Sequence, residues 1–158
     1  VAHQKEAYPN MQLIPEERIE CEDNMDMAYN KVKEIIKKYP DIKGFIGTSS
    51  YDPPGAAKAI DELGMTGSMF AVGTGVPSVS GPYLESGSNP CVLCWDPALS
   101  GKAMCELAVM ILNGEADQIQ TGLDLGIDGY NNVNVNGTDI SGSAVLIINK
   151  ENMADYQF

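Results

Sequence analysis

Three short polar segments in this sequence each follow an apolar run, and their side chains are suited to binding a small molecule. They are Thr48–Pro53, Thr74–Ser78 and Trp95–Pro97. In open α/β sheets, ligands bind outside the carboxyl ends of the strands. If the preceding apolar runs are parallel strands, the three segments meet at one edge of a sheet. They then form a single candidate binding site.

Two of these segments contain an Asp-Pro pair, Asp52-Pro53 and Asp96-Pro97. An aspartate at a helix N-cap accepts hydrogen bonds from backbone N–H groups. A proline at the first helical position costs no helical hydrogen bond, because the N–H at that position has no partner within the helix. Helix capping alone therefore explains both aspartates. A capped turn also directs hydroxyls and backbone N–H groups into the crevice, which suits the many hydroxyls of a neutral sugar. The sequence leaves both interpretations open.

Trp95 is the only tryptophan, and it lies at the end of an apolar run beside a carboxylate. An indole face can cover the apolar C–H side of a sugar ring while neighbouring polar groups bind the hydroxyls. A tryptophan buried in the core fits the same pattern. The sequence does not separate these two interpretations.

Patterns typical of catalysis are sparse. His3 is the only histidine, which excludes triads with a histidine base and sites with several histidine ligands. Gly73-Thr74-Gly75 is not a dinucleotide fingerprint, because Ser78 occupies the third glycine position. We therefore predict no enzymatic activity, no cofactor and no metal ion. The competing hypothesis of a hydrolase using Asp52 and Asp96 lacks an accompanying nucleophile and base.

The amino-acid composition and net charge limit the kinds of partner that the chain can bind. The chain has 158 residues, of which 44% are hydrophobic and 20% charged, so it can bury a core. Its formal net charge of -12 argues against nucleic acid as a partner. The pair Cys91 and Cys94 lies in an apolar run, where small buried side chains are favoured over a redox or metal site.

The hydrophobic pattern alternates between strands and helices. Three apolar runs are predicted as strands: 42–47, 69–73 and 91–95. The first of them is expected to be buried on both faces. Four segments are predicted as helices: a first one from a cap at Asp23 or Asn24 to about Tyr39, then 53–63, 79–85 and 97–112.

This alternation predicts a doubly wound α/β domain with a mostly parallel sheet and helices on both faces. From Gln118 onward, Gly, Asn and Asp become frequent, and two short runs, 130–135 and 144–148, suggest strand or hairpin structure. We expect this tail to be a hairpin-like appendix to the sheet.

Three segments together carry a family resemblance: Phe70–Ser78, Cys94–Pro97 followed by Gly101, and Ile148–Phe158. They resemble the rhamnose-binding and autoinducer-2-binding branch of the type I periplasmic binding proteins. The resemblance covers nearly the whole chain, but only the C-terminal lobe of that family. It implies that residues 1–158 form a C-terminal ligand-binding lobe, with the N-terminal lobe absent.

The resemblance also implies a function and its partners. Such proteins are the solute-binding components of ABC transporters, and they close two lobes over a sugar or sugar-like ligand before delivering it to a membrane permease. Their location is periplasmic or extracellular, with a lipoprotein anchor in some cases. A ligand-sensing domain of a transcription regulator or a sensor kinase is the alternative, because the same fold serves there.

The candidate ligand-binding residues combine the strand-end loops with the resemblance. They are Thr48, Ser50, Tyr51, Asp52, Gly75, Trp95 and Asp96. Gly75 departs from the family, because many relatives place an aspartate in its loop. The hydroxyls of Thr48 and Ser50 favour a sugar over autoinducer-2, whose receptors tend to have proline and alanine there.

Overall fold

A computed structural model describes residues 2–14 and 18–158. The helices are α1 (Ala2–Ala7), α2 (Met25–Lys38), α3 (Asp52–Glu62), α4 (Pro77–Ser86) and α5 (Pro97–Leu112). The strands are β1 (Gly44–Gly47), β2 (Phe70–Thr74), β3 (Val92–Cys94), β4 (Asn134–Asn136), β5 (Asp139–Ser141) and β6 (Leu146–Ile148). Short 3₁₀ turns cover Ala116–Gln118 and Met153–Asp155.

Four strands form the main sheet in the order β1-β2-β3-β6. The first three run parallel, with Phe45 beside Ala71 and Gly73 beside Val92. Strand β6 joins antiparallel to β3, so that Leu146 lies opposite Cys94. The mixed α/β architecture with a mostly parallel sheet is confirmed.

Local signals account for the ends of the helices. The Asn24 side chain accepts a hydrogen bond from the Met27 N–H at 2.9 Å, which confirms it as the N-cap of α2. Helix α4 ends at Gly87, whose φ of 87° lies in the left-handed region. Glycine adopts this conformation without strain, and a helix commonly ends there.

The buried core lies on one face of the sheet. One cluster joins Val32 of α2 and Ile60 of α3 to Ala71 of β2. A second joins Leu84 of α4 to Val92 of β3 and Ile148 of β6, with the aromatic residues near the end of the chain packed against it. Helices α3 and α4 therefore hold the strands from the same side, and this packing fixes the loops at the strand ends.

The opposite face of the sheet is open among the described residues. Ile46, Leu93 and Ile147 point to it, and they are 67%, 41% and 60% exposed. The prediction that β1 is buried on both faces is therefore wrong. Phe45 alternates with Ile46 and packs against the core, because neighbouring side chains in a strand point to opposite faces.

The tail differs in detail from the prediction. Strands β4 and β5 form a hairpin with Gly137 at its turn, which confirms the hairpin-like appendix. The predicted strand 130–135 is wrong in extent, because the pairing spans only Asn134–Asn136. The run 144–148 contributes β6 to the main sheet.

Helix α1 lies in a segment for which the sequence predicted no element. Among the described residues, no helix has both the length and the apolar character needed to cross a bilayer.

Candidate functional site: a pocket at the carboxyl ends of three strands

The three polar loops converge at the carboxyl edge of the parallel strands. They enclose an open pocket of about 260 Å³. Eight of the described residues line it: Ser50, Thr74, Gly75, Val76, Cys94, Trp95, Pro97 and Phe158. Each of β1, β2 and β3 therefore contributes to the pocket through the loop that follows it, as parallel strands dictate.

The first loop is organised by Asp52. One oxygen of its carboxylate, Oδ2, accepts hydrogen bonds from the Thr48 N–H at 3.1 Å and the Ser49 N–H at 3.0 Å. Tyr51, not Asp52, is the N-cap of α3, and it makes no capping hydrogen bond through its side chain. Asp52 therefore stabilises the loop from the first helical position, and the prediction that it is the N-cap is wrong.

The third loop follows the predicted capping arrangement. Oδ1 of Asp96 accepts hydrogen bonds from the Ala98 N–H at 2.7 Å and the Leu99 N–H at 3.2 Å, and Pro97 begins α5. Trp95, immediately before this cap, is 55% exposed. Trp95 is therefore not a core tryptophan in the described structure, and its indole is available to a ligand.

The second loop places backbone, not a carboxylate, against the pocket. Gly75 is buried, and its N–H donates to the Leu93 carbonyl at 3.1 Å. A Cβ at this position would lie 2.6 Å from Cγ1 of Val92 and 3.1 Å from Oγ of Ser80. The close approach of the Val92 side chain therefore favours glycine here.

The structure separates the seven predicted site residues into two groups. Ser50, Gly75 and Trp95 line the pocket. The other four, Thr48, Tyr51, Asp52 and Asp96, lie in the same loops but outside its lining. Two of these four, Asp52 and Asp96, have carboxylate oxygens hydrogen-bonded to the backbone.

Sequence reasoning missed five lining residues: Thr74, Val76, Cys94, Pro97 and Phe158. Thr74 and Val76 belong to the segment Thr74–Ser78, which the sequence did place in the candidate binding site. Their position beside Gly75 could therefore have identified them as lining residues. Phe158 lies in the closing segment that carries the family resemblance, but no local pattern indicated a place in the site, because only the folded chain brings it to the strand ends.

Phe158 is held in place by contacts with distant parts of the chain. Its carbonyl accepts a hydrogen bond from the Ser78 N–H at 3.3 Å, at the start of α4. Its ring packs edge-on against Tyr156, with 5.9 Å between the ring centroids. Both rings pack against the core cluster that contains Cys94. The Phe158 wall of the pocket is therefore supported by the core.

The thiol beside the pocket is kept in its neutral form. Burial raises the pKa of Cys94, and the negative charge of Asp96 raises it further. All four cysteines are free thiols. Within the part of the chain that the structure describes, no three or more His, Cys, Asp or Glu side chains cluster in a way that could hold a metal ion.

A second open pocket, of about 240 Å³, lies against α2 between Ile19, Ile35 and Tyr39. No strand-end loop contributes to it, and Lys31, Glu34 and Lys38 complete its lining. The pocket at the strand ends is the better candidate, because it combines a large exposed aromatic side chain with two hydroxyls.

Comparison with known proteins agrees with this geometry. A family model described as a periplasmic binding protein domain matches residues 2–116. The chain belongs to this family. Membership makes it a binding domain and not an enzyme.

Solved structures share the fold. LsrB from Clostridium saccharobutylicum in complex with AI-2 is 23% identical with a TM-score of 0.74, and the match covers 99% of this chain and 52% of that one. A sugar ABC transporter from Actinomyces odontolyticus is 15% identical with a TM-score of 0.78, and the match covers 99% and 51%.

An ABC transporter solute-binding protein from Clostridium phytofermentas with bound L-rhamnose is 20% identical with a TM-score of 0.67. That match covers 86% of this chain and 46% of the other. The chain therefore spans about half the length of the structures it matches.

Proposed function

We propose that this chain is the C-terminal lobe of a two-lobed solute receptor of an ABC transporter. Its ligand is a neutral monosaccharide of the rhamnose type, or a small furanosyl molecule similar to AI-2. The observation that carries this proposal is the pocket at the strand ends, where the exposed Trp95 lies beside the hydroxyl-bearing residues Ser50 and Thr74.

The chemistry of the pocket suits a neutral sugar. A sugar ring has an apolar C–H face, which an indole covers well, and a rim of hydroxyls that hydrogen-bond to hydroxyl and backbone groups. Neither carboxylate in these loops lines the pocket. Among the described residues, no Lys or Arg lines it either, so none of their side chains is placed there to neutralise an anionic ligand.

The open shape of the pocket supports a partner lobe. Its walls come from one side only, namely the loops after β1, β2 and β3 together with Phe158. A second lobe that closes over the ligand would add hydrogen bonds and exclude water, which raises affinity. We infer that the other half of the receptor provides this wall, since the chain spans about half of its structural relatives.

The same proposal includes a location and a partner. A receptor of this kind works outside the cytoplasm, in the periplasm or tethered to the outer face of the membrane, and hands its ligand to an ABC permease. The complete reading frame provides a direct check. A secretory or lipoprotein signal is expected, whereas an upstream helix-turn-helix would favour a regulator.

Calorimetry on the protein translated from the complete reading frame tests the ligand class. The panel contains L-rhamnose, D-fucose, D-arabinose and AI-2, and at least one should bind with a measurable heat. Trp95→Ala should weaken that binding by about 10- to 100-fold, as truncation of a central tryptophan does.

Phe70→Ala is the matched control. Phe70 is also an exposed aromatic residue, at 40%, but it starts β2 at the opposite edge of the sheet. This variant should bind as the wild type does. Absence of binding to the whole panel, or equal losses in the two variants, would contradict the proposal.

A further inference from the structure

Asp52 and Asp96 each precede a proline at the start of a helix, but their carboxylates bond in opposite directions along the chain. Asp96 bonds forward, to N–H groups in the first turn of its own helix α5. Asp52 bonds backward, and its Oδ2 accepts from the N–H groups of Thr48 at 3.1 Å and Ser49 at 3.0 Å. Asp96 therefore stabilises a helix, whereas Asp52 holds the loop between β1 and α3.

The end of β1 lets this carboxylate reach the loop. A Cβ on Gly47, the last residue of β1, would lie 2.5 Å from Cβ of Asp52 and 2.6 Å from Cδ of Pro53. Favourable carbon contacts lie at about 3.5–4.0 Å, so the absence of a side chain at Gly47 lets α3 begin this close to the strand. The backbone at the strand end therefore lies against Asp52, which brings the N–H groups of Thr48 and Ser49 within reach of its carboxylate.

The loop that Asp52 holds contains Ser50, whose side chain lines the pocket. A turn runs from Ser49 to Asp52, and the Asp52 N–H donates to the Ser49 carbonyl at 3.4 Å. The Ser49 hydroxyl accepts a hydrogen bond from the Tyr51 N–H at 3.3 Å. Ser50 therefore lies inside a turn whose two ends are joined by backbone and side-chain hydrogen bonds. Because one rotatable bond separates a serine hydroxyl from the backbone, the position of this hydroxyl follows the turn.

We propose that Asp52 is a positioning residue, which sets the place of the Ser50 hydroxyl in the pocket without contacting the ligand. This inference rests on the proposed function, and it assigns a role in binding to a residue that does not line the pocket. A turn that is ordered before the ligand arrives removes the entropic cost of ordering it on binding. Without the carboxylate, two N–H groups lose their acceptor, and the turn is free to adopt conformations in which the Ser50 hydroxyl points elsewhere.

A double-mutant cycle tests this role by calorimetry on the protein from the complete reading frame. The probe is whichever of L-rhamnose, D-fucose, D-arabinose and AI-2 binds the wild type most tightly. Ser50→Ala should weaken its binding by about 3- to 10-fold, the typical effect of losing one hydrogen bond, and Asp52→Ala should weaken it by a similar factor. Because Asp52 acts through Ser50, adding Asp52→Ala to Ser50→Ala should weaken binding by less than about twofold more.

Two further variants separate positioning from general stability. Asp52→Asn should recover most of the affinity that Asp52→Ala loses, because an amide oxygen can accept from the same two N–H groups. Asp61→Ala is the matched control, since Asp61 lies near the other end of α3 and its carboxylate also accepts two hydrogen bonds, from the hydroxyls of Thr66 and Ser86. It should leave the affinity unchanged, and thermal melts should show that each variant folds. If Asp52→Ala does not fold, Asp52→Glu takes its place, because the extra methylene displaces the carboxylate from the two N–H groups.

The outcomes separate this role from the receptor function. A loss of affinity in Asp52→Ala that vanishes in the Ser50→Ala background, and that Asp52→Asn recovers, would support the positioning role. Additive losses, unchanged binding of either single variant, no recovery in Asp52→Asn, or an equal loss in Asp61→Ala would overturn it while the receptor function stands. Absence of binding to the whole panel would overturn the receptor function, and the positioning role with it.

Discussion

Adding one methyl group at Gly75 tests the packing beneath the pocket most directly. In Gly75→Ala the new Cβ would lie 2.6 Å from Cγ1 and 3.0 Å from Cβ of Val92, whereas favourable carbon contacts lie at about 3.5–4.0 Å. Val92 is fully buried, so it yields only if β3 shifts. The φ of Gly75 is not in the left-handed region, which leaves the collision as the main effect.

Two opposing contributions set the change in the free energy of unfolding of Gly75→Ala. Overpacking of a buried site costs about 1–3 kcal/mol. Replacing glycine by alanine reduces the conformational entropy of the unfolded chain, which stabilises the folded state by about 0.4–1 kcal/mol. We therefore expect Gly75→Ala to lower the free energy of unfolding by about 1–2 kcal/mol.

Urea unfolding followed by far-UV circular dichroism measures this change, and Gly101→Ala is the matched control. Gly101 lies inside α5, and a Cβ there has no heavy atom within 4 Å. The same substitution should therefore stabilise the protein by about 0.5–1 kcal/mol, because alanine favours the helix.

Removing the colliding methyl groups provides the refuting experiment. Introduced into a Val92→Ala background, Gly75→Ala should lose most of its penalty, because the two Cγ atoms of Val92 are gone. A penalty of the same size in both backgrounds would refute the collision with Val92. A Gly75→Ala variant as stable as the wild type would refute the argument altogether.

Four further predictions concern the cap of α5, the core beside the pocket and the cysteines. Asp96→Ala should lower the free energy of unfolding by about 1 kcal/mol through loss of the α5 cap, whereas Asp96→Asn, which keeps a capping oxygen, should change it by only a few tenths; urea titration compares them. Ser80→Ala should raise the melting temperature, because the buried Ser80 hydroxyl has no hydrogen-bond partner among the described residues and its removal is worth about 1 kcal/mol; a clear loss of stability would contradict this. Iodoacetamide at pH 8 should modify the exposed Cys105 well before the buried Cys94, as peptide mass spectrometry can show. The folded state holds the Cys94 proton more tightly than the unfolded chain, so this contribution to stability is present below about pH 9 and is lost as the pH rises further; Cys94→Ala should remove that part of the pH dependence.

The helices were predictable because their signals are local. Asn24 caps α2 through a residue three positions away, and Gly87 ends α4 with its own backbone conformation. The error at Asp52 also concerns a local arrangement, a shift of the N-cap by one residue. An Asp-Pro pair is compatible with a cap at the aspartate or one residue earlier, and only the hydrogen bonds to Thr48 and Ser49 distinguish them.

Burial was harder to predict than the elements themselves. The apolar run that forms β1 contains both Phe45, which packs against the core, and Ile46, which is exposed. Apolar side chains on both faces of a strand indicate that both faces are meant to be covered, but the sequence of the strand does not reveal what covers each one.

The sequence by itself determined the alternation of strands and helices, the three strand-end loops and the family. These features depend on residues close together in the chain, and each loop takes its position from the strand it follows. The tertiary structure alone decided which residues of those loops line the pocket, and that Cys94 and Phe158 complete it. The reason is physical: Phe158 reaches the strand ends through contacts with Ser78, Tyr156 and the core, and contacts between distant residues leave no periodic pattern in the sequence.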